Sequence, residues 1–296
     1  SMKKATYQLL DVFTDKKFGG NQLAIFDDAT KIPPEMFQNI ARELNLSETV
    51  FLFPKNSDGS HPMRIFTPVK ELPTAGHPSI GTAYFLAQKF EKKESNHKIT
   101  LAQNIGLIEV EIKMSKKGPL LATMYQVLPS FGEIFGNRAE IAQLFNLTIS
   151  DLMDYPLQEV SCGVPYVIVP VRTIENIQNL TFNTQIWEEL QYKLKNISFY
   201  VFTPVGLLHN GDLHGRMFAP EIGITEDPAT GSANGPLACY LFKYNIKKGP
   251  LVSEQGFEMN RPSTIYIEIE SEKGVIKNVK VGGQAVFVGK GQLSID

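Results

Sequence analysis

Hydrophobic positions along this chain follow two rhythms. One is the period of a strand, in which alternate residues or short unbroken runs are apolar. It marks 7–14, 22–26, 49–53, 64–66, 98–113 with a break at Asn104-Ile105-Gly106, 120–128, 161–171, 197–204, 264–270 and 279–288. The other is the helical period. After Pro33-Pro34 it places Met36, Phe37, Ile40, Ala41 and Leu44 on one face. It recurs with Ile80, Ala83, Tyr84 and Ala87 in a helix over 78–89, in short helices over 138–145 and 184–194, the latter carrying Trp187, and in a helix over 233–244. Pro68 and Pro73 close the strand before the 78–89 helix, because proline has no N–H for a ladder. Pro78 suits a first helical turn, where that N–H is not needed.

One block occurs twice. Arg64-Ile65-Phe66-Thr67-Pro68 leads through Thr74-Ala75-Gly76-His77-Pro78 into an apolar helix. Downstream, Arg216-Met217-Phe218-Ala219-Pro220 leads through Glu226-Asp227-Pro228-Ala229-Thr230-Gly231-Ser232 into another. Each copy reads as strand, small polar turn, helix. The free N–H groups at a helix start suit a carboxylate or phosphate, although either turn alone is also an ordinary strand–helix connection. The pair points to a duplicated half, with both helix starts directed into one cleft.

Strands outnumber helices and most are hairpin-connected, so the long βαβ alternation of a doubly wound sheet is not expected. The fold class is α+β: two similar halves, each a curved, mostly antiparallel, barrel-like sheet around a central helix. The boundary falls in 129–136, read as a link from Pro129 to Gly136. That gives an N-terminal half, 1–129, completed by 283–296, and a C-terminal half, 130–282.

Composition narrows the partners. Of 296 residues 43% are hydrophobic, ample for packed cores, and the net charge of −2 with no long basic run argues against nucleic acid and anionic membranes. No apolar run approaches a membrane span. Cys162 and Cys239 are too few for a disulfide framework and suit a reducing compartment, and Ser1-Met2-Lys3-Lys4 lacks the apolar core of a signal peptide, so a cytoplasmic location is expected. His209 and His214 flank Asn210-Gly211-Asp212 without zinc-ligand spacing, and the glycines from Gly282 to Gly291 open no helix. No metal and no cofactor are expected.

Five motifs, in order, carry a resemblance: Asp11-Val12-Phe13-Thr14 with Gly20-Asn21; Leu46-Ser47-Glu48-Thr49; Ala75-Gly76-His77-Pro78; the block from Glu226 to Ala233; and Gly282-Gly283-Gln284-Ala285. Together they resemble the phenazine-biosynthesis isomerase (PhzF-like) family over nearly the whole chain. The resemblance implies the diaminopimelate-epimerase-like fold, an active site between the halves, a last strand that returns to the first half, and a homodimer. Gln22, Thr74, Ser79 and Cys162 depart from the family's usual residues. Epimerases of this fold use a cysteine at each helix start. Here those turns carry none, with Cys162 read on a strand and Cys239 two turns into a helix.

Glu48, where a helix hands over to a strand, is the general acid/base candidate, with Val50, Phe51 and Leu52 as apolar walls; the plain alternative is a solvated carboxylate. His77 would assist proton transfer or polarise the substrate, or serve as a structural donor. Asp227 would bond a substrate amine or hydroxyl, or cap the helix. Ser232 and the N–H groups around Gly76 and Gly231 would hold a substrate carboxylate, with tight packing as their alternative. Asn21 would line the cleft or shape a turn. The expected activity is a cofactor-independent isomerase that moves a proton on a small carboxylate-bearing substrate. The rivals are an epimerase or racemase of the same fold, and a non-catalytic small-molecule-binding protein that retains the cleft.

Overall fold

A computed structural model of the chain describes residues 3–194, 197–222 and 224–296. Ser1 and Met2, at the start read for a leader, lie outside the described residues. Two compact units emerge, one of Ser1–Tyr125 with Gly282–Asp296 and one of Gln126–Val281.

The first unit runs β1 (Lys4–Val12), β2 (Asn21–Phe26), α1 (Phe37–Leu44), β3 (Glu48–Leu52), β4 (His61–Phe66), β5 (Glu71–Leu72), α2 (Gly76–Leu86), β6 (Ser95–Gln103), β7 (Gly106–Ser115) and β8 (Gly118–Gln126). β1 pairs antiparallel with β2, β2 parallel with β3, and β3 antiparallel with β4. β4 then pairs antiparallel with β5 and parallel with β6, which pairs antiparallel with β7. A parallel pair needs a crossover. α1 lies in the β2–β3 crossover and α2 in the β4–β6 crossover. α1 packs Phe37, Ile40 and Ala41 into a cluster with Phe26, Phe51 and Phe66. α2 is buried on every side, from Gly76 through Tyr84 and again at Leu86. With helices on both faces, β2 and β3 need apolar residues throughout, which explains the unbroken buried runs Leu23 to Phe26 and Val50 to Leu52.

The second unit repeats this plan. Its elements are β9 (Ser130–Ile134), α3 (Arg138–Gln143), β10 (Gln158–Ser161), β11 (Pro165–Pro170), α4 (Ile174–Asn179), α5 (Thr184–Leu190), β12 (Phe199–Thr203), β13 (Leu213–Ala219), β14 (Ile224–Asp227), α6 (Gly231–Lys243), β15 (Leu251–Gln255), β16 (Ser263–Glu272) and β17 (Val275–Gly283). β10–β11 is antiparallel, β11–β12 parallel and β12–β13 antiparallel. β13 pairs antiparallel with β14 and parallel with β15, and β15–β16 is antiparallel. This is the same succession of pairings as from β1 to β7. α6 is the buried central helix, and Ile141, Phe145, Trp187 and Leu190 pack the outer layer against Val167, Val169, Phe199 and Val201. The last strand, β18 (Ala285–Ser294), pairs antiparallel with β1 in the first unit, from Lys4 opposite Ser294 to Val12 opposite Ala285.

The duplicated Arg-x-Phe has a structural reason. Arg64 makes a bidentate pair with Glu71 at 2.7 and 2.9 Å, and Arg216 does the same with Glu226 at 2.9 and 2.8 Å. Each glutamate sits on the short strand that feeds a central helix, so the guanidinium fork fixes how the chain enters that helix. Each guanidinium also lies over the phenylalanine two residues on, at 5.3 and 5.4 Å.

Several expectations are corrected. The segment 129–136 contains strand β9, paired with β10. The apolar run 161–171 is a hairpin, since Gly163 adopts a φ of 115° and turns the chain. Cys162 therefore sits in a turn rather than on a strand. The central helices begin two residues earlier than expected, at Gly76 and Gly231, and Pro236 is accommodated inside α6. α4, capped by the Thr173 side chain on the Asn176 N–H, went unread because its apolar positions are few. Hairpins do not account for every connection, since each unit contains two parallel crossovers.

Candidate active site

Asn45, in the left-handed conformation (φ 54°, ψ 36°), ends α1 and aims the chain back toward the sheet. Glu48 opens β3 three residues later, in parallel register with Leu23 on β2. Its side chain is 15% exposed, so it is neither solvated nor sealed. Val50 and Leu52 share the face of Glu48 on β3 and are buried, whereas Phe51 points to the opposite face, into the α1 cluster, and is not one of the expected walls.

His77 lies in the first turn of α2, 5% exposed, with Nε2 3.1 Å from Glu48 Oε2. The ring donates to the Gln22 backbone carbonyl, which raises its affinity for a proton, but burial dominates and pushes the imidazole down to about 3. The ring is neutral at ordinary pH. Nε2 makes no aligned hydrogen bond, so the Gln22 bond is carried by Nδ1 and the ring proton resides there. Nε2 is then a bare acceptor beside the carboxyl.

Asn21 begins β2 and is buried. Gly20 before it has a φ of +61°, and a Cβ there would meet the Val12 carbonyl at 2.2 Å, so only glycine delivers Asn21 at this angle. Asp11 supports the same loop by accepting from the Phe18 N–H at 2.7 Å. Phe13 of the first motif lies against Gly283 of the last, where a Cβ would be 2.3 Å from its ring. Gly76 opens α2 after Ala75, which has no side chain with which to cap the first-turn N–H groups.

In the second unit Asp227 ends β14 and is buried. The residue at the cap position of α6 is Thr230, whose hydroxyl donates to Asp227 Oδ2. Gly231 opens the helix, and its carbonyl accepts from Gln126 Nε2 at 2.9 Å. Ser232 is half-buried, its Oγ 2.6 Å from the Tyr166 hydroxyl. Beneath this turn is Gln255, fully buried, which had no sequence signal. Its Oε1 accepts from the Thr230 N–H at 3.0 Å, and its Nε2 donates to the Asp227 carbonyl at 2.8 Å and to Thr230 Oγ1 at 3.0 Å. Asn234, on the next turn, donates to the Thr230 carbonyl at 2.8 Å and accepts from Ser253 at 2.6 Å. One side-chain amide thus sets the backbone of the turn that carries Asp227, Gly231 and Ser232. Tyr166 and Gln255 become part of the site through sheet pairing, which no local pattern announces.

Each unit brings its own candidates together. Glu48, His77, Asn21 and Gly76 gather around the α2 start, and Asp227, Gly231 and Ser232 around the α6 start. A model of the phenazine biosynthesis-like protein family matches residues 10–291. The chain belongs to this PhzF-like family. It is 32% identical to the trans-2,3-dihydro-3-hydroxyanthranilate isomerase of Pseudomonas fluorescens, across 97% of this chain and 98% of that one. The PhzF-family protein of Bacillus anthracis superposes with a TM-score of 0.86 at 26% identity, over 99% of both chains. A probable proline racemase of Agrobacterium radiobacter K84, at 13% identity and a TM-score of 0.67, shares the fold, with 99% of this chain and 93% of that one aligned. The PhzF-like chain is therefore an isomerase on an epimerase-like α+β fold. Among its described residues no helix is long and apolar enough to cross a membrane.

Proposed function

We propose that this PhzF-like isomerase shifts a proton on a small carboxylate-bearing substrate without a cofactor, with Glu48 as the acid/base. The observation that carries the reading is the neutral His77 ring 3.1 Å from Glu48. A carboxylate that takes a proton from carbon needs that proton to be welcome on oxygen. A bare Nε2 beside the carboxyl offers an acceptor for the newly formed O–H, whereas an imidazolium would hold the carboxylate ionised. Glu48 then returns the proton to another carbon on the same face, and a double bond moves. The partly buried setting of its side chain leaves an opening for substrate, and the apolar residues behind it limit competition from water.

Asp227 is the partner for a substrate amine or hydroxyl. Ser232 with the N–H groups at Gly231 and Gly76 is the anion-binding set that offsets charge developing on the substrate. The dihydro-hydroxyanthranilate named for the Pseudomonas fluorescens relative has the required carboxylate, amine and hydroxyl, and is the first substrate to try. A homodimer in the cytoplasm, taking neither nucleic acid nor membrane, is part of the same reading. Thiol-based epimerisation is disfavoured, because Cys162 and Cys239 lie 3.7 Å apart in one core rather than at two helix starts.

The experiment is turnover of that substrate in deuterated water by the parent chain and by Glu48→Gln. The parent incorporates solvent deuterium at carbon as the double bond moves. Glu48→Gln, folded by circular dichroism, loses at least about 100-fold in rate, the low end of what a positioned acid/base supplies. Undiminished incorporation by the variant rules Glu48 out as the base.

A further inference from the structure

The two cysteines are far apart in sequence and unused in the isomerisation. Both are buried, with their sulfurs 3.7 Å apart. Cys162 follows β10 in the turn to β11, and Cys239 lies on α6. A disulfide needs a separation near 2.05 Å, so a small approach of the two thiols suffices. The two positions differ in access. Cys239 is completely covered, whereas Cys162 is 9% exposed and is followed by the exposed Gly163 in a left-handed turn. The contact is one of two rungs between the same elements. Tyr166 bonds Ser232 four residues further along the β-hairpin and seven residues back along α6. Cys162 lies in the turn just past the Ser161–Pro165 pair, and Tyr166 lies opposite Val160, the next pair in, so both rungs fall at the same end of the hairpin.

We propose that Cys162 and Cys239 form an oxidation site that closes reversibly to a disulfide and ties the β10–β11 turn to the central helix of the second unit. A peroxide is the oxidant. Cys162, as thiolate, attacks a peroxide oxygen, water leaves after protonation, and a sulfenic acid remains. The Cys239 sulfur attacks that sulfenic sulfur, expelling a second water. Two thiols and one hydrogen peroxide give one disulfide and two waters. The two electrons pass from sulfur to the peroxide oxygens. A small thiol or dithiol reverses the step by exchange. The hydrogen bond with Cys162 and then burial keep the Cys239 thiol protonated, and Cys162 is the more exposed of the two, so Cys162 is the first sulfur to react and closure is slow.

The test is treatment of the folded, reduced protein with hydrogen peroxide, then intact mass and non-reducing peptide mapping. The expected result is a loss of two hydrogen masses, a linked peptide joining Cys162 to Cys239, recovery on reduction, and a thermal midpoint raised on the order of 5–10 °C in the oxidised form. Sulfinic or sulfonic acid at Cys162 without a linked peptide overturns the proposal, as does a midpoint that falls on oxidation. Cys162→Ser keeps the size and leaves Cys239 alone in the core. In that variant Cys239 stays unmodified under the same treatment. Oxidation of Cys239 there at the parent's rate would mean that general opening, not the paired contact, admits the oxidant, and would equally end the proposal.

Discussion

Two histidines show how burial and partners set opposite charge states in one chain. Burial holds His77 neutral, with its proton affinity down at about 3. Burial would also lower His214, but its hydrogen bonds to Glu254 at 2.8 Å and Glu258 at 2.7 Å, and their charges, raise it to about 9. Glu254 in turn accepts from the Leu207 and Leu208 N–H groups at 2.6 and 2.8 Å, so the charged histidine anchors the loop before β13. The consequences for stability have opposite signs. An unfolded histidine binds its proton near 6.5. His77 therefore favours the folded state above that pH, and its contribution is lost as pH falls from about 6.5 toward 3, roughly 5 kcal/mol at the limit. His214 contributes fully below 6.5 and loses its share as pH rises toward 9, roughly 3 kcal/mol. Urea denaturation across pH should show His77→Gln with a flattened acid limb and His214→Gln with a flattened alkaline limb, each relative to the parent. Parallel curves for parent and variant would remove that histidine from the account.

At the scale of elements, the two central helices dictate the rest. A helix with apolar residues on every side belongs inside, and α2 and α6 are wrapped by sheet. Close approach requires small residues. A Cβ on Gly81 would stand 2.6 Å from Leu23 Cδ2 and 2.8 Å from Val12 Cγ2, both in packed positions. Replacing glycine in a helix ordinarily stabilises, yet here overpacking outweighs that gain. Gly81→Val should destabilise the first unit by about 1–3 kcal/mol in thermal or urea denaturation, and an unchanged midpoint would show that the sheet yields. The helices themselves were legible because a turn of small residues before an apolar run is a local signal. Their true starts were not, because Pro78 suits a first turn yet α2 begins two residues upstream at Gly76, and α6 likewise begins at Gly231 rather than 233. The hairpin at Gly163 was illegible for a similar reason. Continuous apolar sequence follows from burial on both faces and says nothing about where the chain reverses.

At the scale of the molecule, the duplication is deeper than the repeated residues. The same succession of antiparallel and parallel pairings serves both units, although only the Arg-x-Phe block and the helix turns match in sequence. The exchange of β18 breaks the symmetry in the chain's order. β18 pairs with β1 along its length, and Ile295 joins the cluster of Phe26, Phe37 and Phe51. Removing residues 285–296 leaves β1 with an unpaired edge and opens that cluster. The expected outcome is loss of the first unit's cooperative unfolding and its rapid digestion, while a fragment of the second unit resists protease. Equal digestion of both would show that the units depend on one another for stability.

The amino-acid order alone determined the class of fold, the number of halves, the two central helices, and the positions of Glu48, His77, Asp227 and Ser232 at their turns. All of these rest on spacing within a few residues, where periodicity, proline and glycine act directly on the backbone. Only the folded chain decided that His77 is neutral and bonded to Gln22, that Gln255 and Tyr166 support the second turn, and that two distant cysteines touch. Those facts depend on strand pairing between residues remote in sequence, and on burial, which changes the charge and the partners of a side chain without leaving any mark on its neighbours in the chain.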